Sequence, residues 1–413
     1  MSKINNLIKE LCPAGVRYYK LSEIGNQYSG LSGKTKNDFE NGNCQYITYT
    51  NIYNNPSTNL DVEDYVQVKE NEKQNEIKYK DILIAGSSEN LEDSGMISVV
   101  TKVPSKKIYL NSFCFGFQLN NIFYDKYNPD FLKHLFRDKN FRNEIISCSF
   151  GVTRYNLSKE KFLKIKIPCP PLKVQQEIAI ILDKFGELEA ELEAELEARK
   201  SQYEFWRAKL FNSNNIKQID DICLNISSGG TPNTSHTEYY GGNIPWLRTQ
   251  EVNWNYITDT EIKITDDAIK HSSAKIIPAN CVIVAMYGAT VGRVAINSIP
   301  LSTNQACCNL EINPQLADYK YVFYWLSNQY KFIKSLGQGS QTNINAQTVK
   351  KIKIPLPTIE EQKRIVFILD RFDKLVNDIT VGIPAEIELR KKQYEYYRNK
   401  LLSFEEVSVW NFI

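Results

Sequence analysis

The stretch Gly30-Leu31-Ser32-Gly33-Lys34-Thr35 sets glycine, lysine and a hydroxyl residue in the order a phosphate-cradling loop uses. Such a loop needs another glycine five positions before its second one, and Tyr28 stands there, so a nucleotide site is not indicated. His134, His236 and His271 lie in unrelated contexts with no cysteine or carboxylate at ligand spacing, and the aromatic surroundings of His134 point to a packed helix. The 9 cysteines are odd in number and never spaced C-x-x-C, so they read as reduced residues and not as a disulfide frame or zinc site. No Asn-Pro-Pro-aromatic stretch marks a base-flipping amino-methyltransferase, and no glycine-rich cofactor loop follows a first strand. The sequence therefore offers no catalytic residues, no cofactor-binding loop and no metal cluster.

What it does offer is side chains with paired hydrogen-bonding groups, the kind that distinguish base edges, on loops between short β-type runs. Arg248, Thr249 and Gln250 follow a strand end with Trp254 nearby, and Tyr287, Arg293, Gln341 and Thr342 occupy later loops. By positional analogy the earlier part of the chain offers Tyr49, Asn51, Ser87, Asn90, Arg154 and Tyr155. Lys34 and Lys36 sit on the glycine-rich turn, suited to phosphates. Each of these alone fits a turn former or a solvated residue as well; as a set they make candidate DNA-binding loops. Charge does not decide the matter, because the net value of +2 falls short of a strongly basic balance.

The elements that must position these loops come from a duplication. KIKIP occurs at Lys164–Pro168 and again at Lys351–Pro355, and both copies extend without a gap, as KIKIPCPPLKVQQEIAIILDKF and KIKIPLPTIEEQKRIVFILDRF. Further on, RKSQYEFWRAKL (199–210) matches RKKQYEYYRNKL (390–401), with four extra residues in the second copy. Apolar residues recur at helical spacing in both: Ile178, Leu182, Phe185, Leu188, Leu192 and Leu196 in one, Ile365, Leu369, Phe372 and Leu375 in the other. Thr358-Ile359-Glu360-Glu361 fits a capping box, and proline precedes each helix. The first helix carries ELEA three times at 187–198, whereas Gly382 and Pro384 should interrupt the second. Two apolar stripes in one chain are most simply buried against each other as an antiparallel pair. The segments before each helix have drifted apart and carry short runs such as DILIA (81–85) and CVIVAMY (281–287), as small α+β domains read.

The expected architecture is α+β: two globular domains separated by two long helices packed as an antiparallel coiled coil, in a pseudo-twofold internal repeat. Its boundaries are 1–163, the first helical region 164–213, a second globular domain 214–350 and the second helical region 351–413. At 413 residues with 42% hydrophobic and 24% charged residues the chain reads as folded and multidomain. No apolar run approaches the ~18 residues of a membrane span, and MSKINNLIKE lacks a secretion-type apolar stretch, so a cytoplasmic location without membrane contact is expected.

With divergent heads and similar helices on the page, the chain resembles the specificity subunits of type I DNA restriction-modification systems over its whole length. The residues that carry the likeness are the helix openings Ile167–Ile178 and Ile354–Ile365, together with ISSGGTPNTSHTEYYGGNIPWLRTQEV (226–252), similar to the start of a target recognition domain. The first head, at 28–52, follows that opening only loosely. The resemblance implies that each head reads one half of a bipartite site in double-stranded DNA, that the helices set the spacer between the halves, and that two methyltransferase (modification) subunits dock on them. It also implies restriction/translocase subunits as further partners, with S-adenosylmethionine, ATP and Mg in those partners and no catalysis here. In some members of that family the number of tetrapeptide repeats changes the spacer, and ELEA looks like that device. The competing readings are a coiled-coil adaptor and a DNA-modifying enzyme in its own right.

Overall fold

The structure is a computed structural model that describes residues 2–337 and 343–407. The chain forms two compact units, one made of the residues up to Leu192 together with those from Ile387 onward, the other of Glu193–Glu386. This division cuts through both helical regions: each unit holds one globular head and pieces of both repeat helices.

In the first unit the head is built on a four-stranded antiparallel sheet ordered Gly25–Ser29, Cys114–Leu119, Ile82–Ala85 and Ile97–Val99. Ile82, Leu83, Ile84 and Ala85 are all fully buried, which is why DILIA is a continuous apolar run and not an alternating one. A three-stranded sheet runs Tyr65–Val66, Cys44–Ile47 and Ile108–Leu110, its last pair parallel. Tyr28 leans across Gly116, where a Cβ would stand 2.0 Å from the Tyr28 ring, and its hydroxyl donates to Asp81 at 2.6 Å. The position where a phosphate loop would need glycine is therefore a ring anchored in the head. Burial raises the Asp81 carboxyl to about 6.

The second unit repeats this plan with different residues. Cys223–Ser228, Cys307–Ile312, Val282–Ala285 and Val294–Asn297 form the equivalent antiparallel sheet, extended by Tyr256–Ile257. Beside it Ile262–Ile264, Tyr240–Leu247 and Leu301–Thr303 reproduce the mixed sheet, again with one parallel pair, and Ile276–Ile277 is added at the edge. The repeated KIKIP has the same place in both: Lys166–Pro168 pairs antiparallel with Tyr18–Lys20, and Lys353–Pro355 with Ile216–Gln218.

The first repeat helix is one element, Leu172–Leu210. The second is two, Ile359–Asn377 and Ile383–Leu402, with Pro384 in the first turn of the latter. There the absence of a proline N–H costs no helical hydrogen bond. Thr358 caps the first of these, accepting from the Glu361 backbone at 3.4 Å.

Identical side chains fasten helix to head in the two units. Gln175 is fully buried; its Oε1 accepts from the Asn128 N–H at 2.8 Å, and its Nε2 donates to the Lys126 and Pro170 carbonyls, both at 2.7 Å. Gln362, also fully buried, accepts from the Asp318 N–H at 2.9 Å and donates to the Leu316 and Pro357 carbonyls. About two turns on, Asp183 accepts from His134 Nε2 and Lys133 Nζ, both at 2.8 Å, while Asp370 accepts from Tyr324 and Lys320, both at 2.7 Å.

Helix packing shows the same exchange. In the first unit Phe185 lies against Tyr394 (6.2 Å between ring centroids) and Tyr397 (5.4 Å), and Lys391 pairs with Glu189. Those contacts advance along one helix as they retreat along the other, so the two pieces run antiparallel. In the second unit Tyr203 and Phe372 stack at 6.0 Å. By the repeat alignment Phe372 is the counterpart of Phe185, and Tyr203 of Tyr394. Each unit thus contains the same aromatic pair, with the two partners drawn from opposite copies.

Candidate nucleic-acid interface

In the first head the strand Cys44–Ile47 ends at Thr48, whose hydroxyl accepts from the Asn51 N–H at 3.3 Å and starts the helix Tyr49–Asn54. That cap sets Tyr49 and Tyr53 one turn apart with their rings stacked at 6.3 Å. Strand Ile82–Ala85 leads into Ser87–Ser88, which pairs with Tyr155–Asn156 of a hairpin whose other arm is Ser149–Phe150. Gly151 (φ +121°) makes the hairpin turn; a Cβ there would meet the Arg154 carbonyl at 2.1 Å.

These elements enclose a concavity of about 410 Å³ lined by Tyr49, Tyr53, Ser87, Asn90, Phe113 and Arg154, among others. Of the residues singled out in the sequence, Tyr49, Ser87, Asn90 and Arg154 therefore share one wall, and Tyr155 lies in the ladder beside it. The Tyr49 hydroxyl donates to Ser88 at 3.4 Å, Tyr53 to Asp93 at 3.2 Å, and Asn90 Nδ2 to Asp93 at 3.2 Å. Arg154 Nε donates to Ser87 Oγ at 3.3 Å while its guanidinium lies 5.5 Å from the centroid of the Phe113 ring. Tyr53 and Phe113 had no sequence signal beyond the i, i+4 spacing of the two tyrosines.

Two residues expected at this surface are placed elsewhere. Lys34 reaches no solvent-facing phosphate position: its side chain is 6% exposed, and its ammonium is held at 2.6 Å by Glu72 and also meets the Gln67 carbonyl. That bond, with others from Gln74 and the Lys69 N–H, lowers the Glu72 carboxyl to about 2. Asn51 is buried and spends its amide locally, donating to the Asn59 carbonyl and accepting from the Asn59 N–H. A buried polar side chain must find such partners, and here they come from its own loop. Lys36 is exposed at the start of a short turn, Lys36–Phe39.

In the second head Arg248 stands where Thr48 stands in the first, at the start of the turn Thr249–Glu251. Its guanidinium is bonded to Glu261 and lies 3.8 Å from Glu251, with Gln250 exposed beside it. Tyr287 is 42% exposed. Arg293 lies 5.1 Å from the Trp254 ring centroid and donates to Asn253 at 2.9 Å, while Trp254 has φ +54° and meets Tyr330 edge-on. Gln341 and Thr342 lie outside the described residues.

His236 and His271 both stack on the Tyr239 ring, at 5.0 and 6.5 Å, whereas His134 belongs to the other unit. His134 is buried, bonded to Asp183 and to the Tyr394 hydroxyl; His236 meets Glu238; His271 is exposed. Among the described residues no three His, Cys, Asp or Glu side chains are set to hold a metal ion, and no helix is long and apolar enough to cross a membrane. Cys307 and Cys308 are fully buried in their strand, and burial pushes both thiols up.

The family model for the type I restriction modification DNA specificity domain matches this chain twice, at residues 13–198 and 213–389. A type I restriction enzyme specificity subunit of Escherichia coli is 39% identical over 258 residues, 58% of this chain and 63% of that protein. A putative type I restriction enzyme specificity subunit of Haemophilus influenzae is 33% identical over 301 residues, 68% of this chain and 73% of that protein. Among solved structures, a chain from work on complex assembly and conformational transition of the type I R-M system matches with a TM-score of 0.63 at 17% identity, covering 94% of this chain and 97% of that one. The HsdS subunit from Thermoanaerobacter tengcongensis matches with a TM-score of 0.56 at 17% identity, covering 95% of this chain and 97% of that one, so the fold is shared well beyond recognisable sequence. With two matched segments that together span most of its residues, the chain belongs to the type I restriction modification DNA specificity family.

Proposed function

We propose that this chain is the non-catalytic DNA-reading subunit of a type I restriction-modification complex. Each head reads one half of a bipartite site in double-stranded DNA, the repeat helices fix the spacer, and two modification subunits dock on those helices. The observation that carries this reading is the contrast between parts: heads with one topology and different loop residues, joined to the helices by an unchanged pair of fastenings, Gln175 with Asp183 and Gln362 with Asp370. Parts that recognise different sequences diverge, whereas parts that meet identical partners do not.

Docking of two like partners is supported by apolar side chains left uncovered at repeat-equivalent helix positions. Ile180 is 52% exposed and its counterpart Phe367 62%; Phe205 is 51% exposed and its counterpart Tyr396 58%. S-adenosylmethionine, ATP and Mg belong, on this reading, to the modification and restriction subunits. Mapping the methylated sites of a host that carries the complete system tests the proposal. A split consensus of two defined halves and a fixed gap is expected; methylation without sequence preference would overturn it.

A further inference from the structure

Arg154 is held by an aromatic ring and a neutral oxygen, as Arg293 of the second head is by Trp254 and Asn253. The central carbon of the Arg154 guanidinium lies over Phe113, 5.5 Å from the ring centroid, and that ring is 61% exposed on the turn between two strands. Its Nε is taken by a neutral hydroxyl, Ser87 Oγ at 3.3 Å, which rides on the strand laddered to the one following Arg154. Among the described residues no carboxylate lies within 4 Å of its guanidinium, although Glu89 and Asp93 line the same concavity; Arg248 in the other head is neutralised by Glu261 and Glu251. Among the described residues the two terminal amino groups of Arg154, with four N–H donors, have no hydrogen-bond partner, and Arg154 lines the concavity of about 410 Å³. A guanidinium set over a ring and pinned at Nε has lost most of its rotamer freedom before any ligand arrives, so little more is lost on binding.

We propose that Arg154 reads a guanine in the half-site bound by the first head, its two amino groups donating to O6 and N7 in the major groove, with Phe113 as its platform and Ser87 as its positioning residue. Guanine is the base whose major-groove edge carries two adjacent acceptors, and a planar fork with two parallel donors matches it. The inference rests on the reading that the first head contacts DNA bases, and it adds which base and which residue.

The test uses the complete complex of this chain with its modification subunits and S-adenosylmethionine. Its half-sites are first defined by methylome mapping, and binding is then measured on duplexes altered one position at a time. Arg154→Ala and Arg154→Lys are both expected to relax one G·C position in one half-site and leave the other half unchanged. The lost discrimination should be about 5- to 150-fold, which corresponds to ~1–3 kcal/mol at 1.4 kcal/mol per tenfold. Replacing that guanine by 7-deazaguanine, which lacks the N7 acceptor, should weaken binding of the unaltered protein and leave Arg154→Ala indifferent. Phe113→Leu, which removes the platform but no donor, should lose part of the same discrimination. Uniform weakening on all sequences, with a salt dependence shallower by about one ion, would mean a phosphate contact and overturn the inference. So would a wild-type complex in which no 7-deazaguanine position matters, a result that needs no variant to fold. Absence of any bipartite preference would instead sink the proposed function, so the two failures are distinguishable.

Discussion

Replacing Gln175 by alanine removes three hydrogen bonds at a fully buried site and leaves the Asn128 N–H and the Lys126 and Pro170 carbonyls without their partner. A net ~1 kcal/mol per bond, plus part of the cost of burying unpaired groups, gives a loss of about 4 kcal/mol. For a unit of this size each kcal/mol moves the midpoint by roughly 2–4 °C, so the first unit should melt roughly 8–16 °C lower. Calorimetry on the chain, with hydrogen exchange read peptide by peptide, assigns the loss: the helix Pro129–Leu135 and the start of Leu172–Leu210 should lose protection. Gln362→Ala should produce the mirror result, confined to Tyr319–Asn328 and the start of Ile359–Asn377. A loss below about 1 kcal/mol would refute the claim that these glutamines fasten helix to head. A Gln362→Ala effect that appeared in the first unit would refute the claim that each acts within its own.

His134 gives the first unit a pH response that the second lacks, since Tyr324 holds the corresponding place. Burial depresses the His134 pKa below its ordinary 6.5, so the unfolded chain binds the extra proton more readily and stability falls as pH drops below about 6.5. Asp183, held below its ordinary value by His134 and Lys133 against the opposing effect of burial, extends the loss to lower pH. His134→Gln should flatten the upper part of that limb in a pH series of melts, and an unchanged slope between pH 5 and 6.5 would count against the assignment. Deleting one ELEA unit, Glu191–Ala194, removes ~6 Å of helix. On the proposed function, at ~3.4 Å per base pair, the spacer should shrink by roughly two base pairs with both half-sites unaltered, as methylome mapping would read. Ile180→Glu or Phe367→Glu places a charge on an uncovered apolar position; each single variant should lose one of two modification subunits by native mass spectrometry without a change in melting, and retention of both would exclude these positions from the interface.

The helical scaffold was legible in the sequence because 3.6-residue periodicity, capping at Thr358 and a duplicated string all point the same way. The break before Pro384 was legible for the same reason: proline has one place in a helix, its first turn. What could not be read was which duplicated polar residues mattered. Gln175, Gln362, Asp183 and Asp370 look like surface residues of an amphipathic helix, and only their partners on distant segments, such as Asn128 and His134, reveal otherwise. The heads were legible as α+β but not in their pairing, because strands of two to eight residues, many as short as Ser87–Ser88, carry too little pattern to fix a register. Among the candidate DNA-reading residues, loop position found Tyr49, Ser87, Asn90 and Arg154, which line one concavity. It misjudged Lys34, since a lysine on a glycine-rich turn looks the same whether or not a carboxylate 38 residues away comes to meet it.

The first unit is finished by the last helix of the chain. Leu401 and Leu402 are buried in its core, Tyr18 donates to the Phe404 carbonyl at 3.0 Å, and Gly15 leaves room for the Glu405 carbonyl. During synthesis the earliest segment must therefore wait, its apolar stripe uncovered, until nearly two hundred further residues have emerged. A chain that stops short of Ile387 would carry an orphaned groove, which the repeat-equivalent helix of a neighbour stopped at the same point matches in its aromatic pair. Such truncation would convert one self-closed molecule into a pair of mutually closed ones, in which, on the proposed function, both heads would be alike.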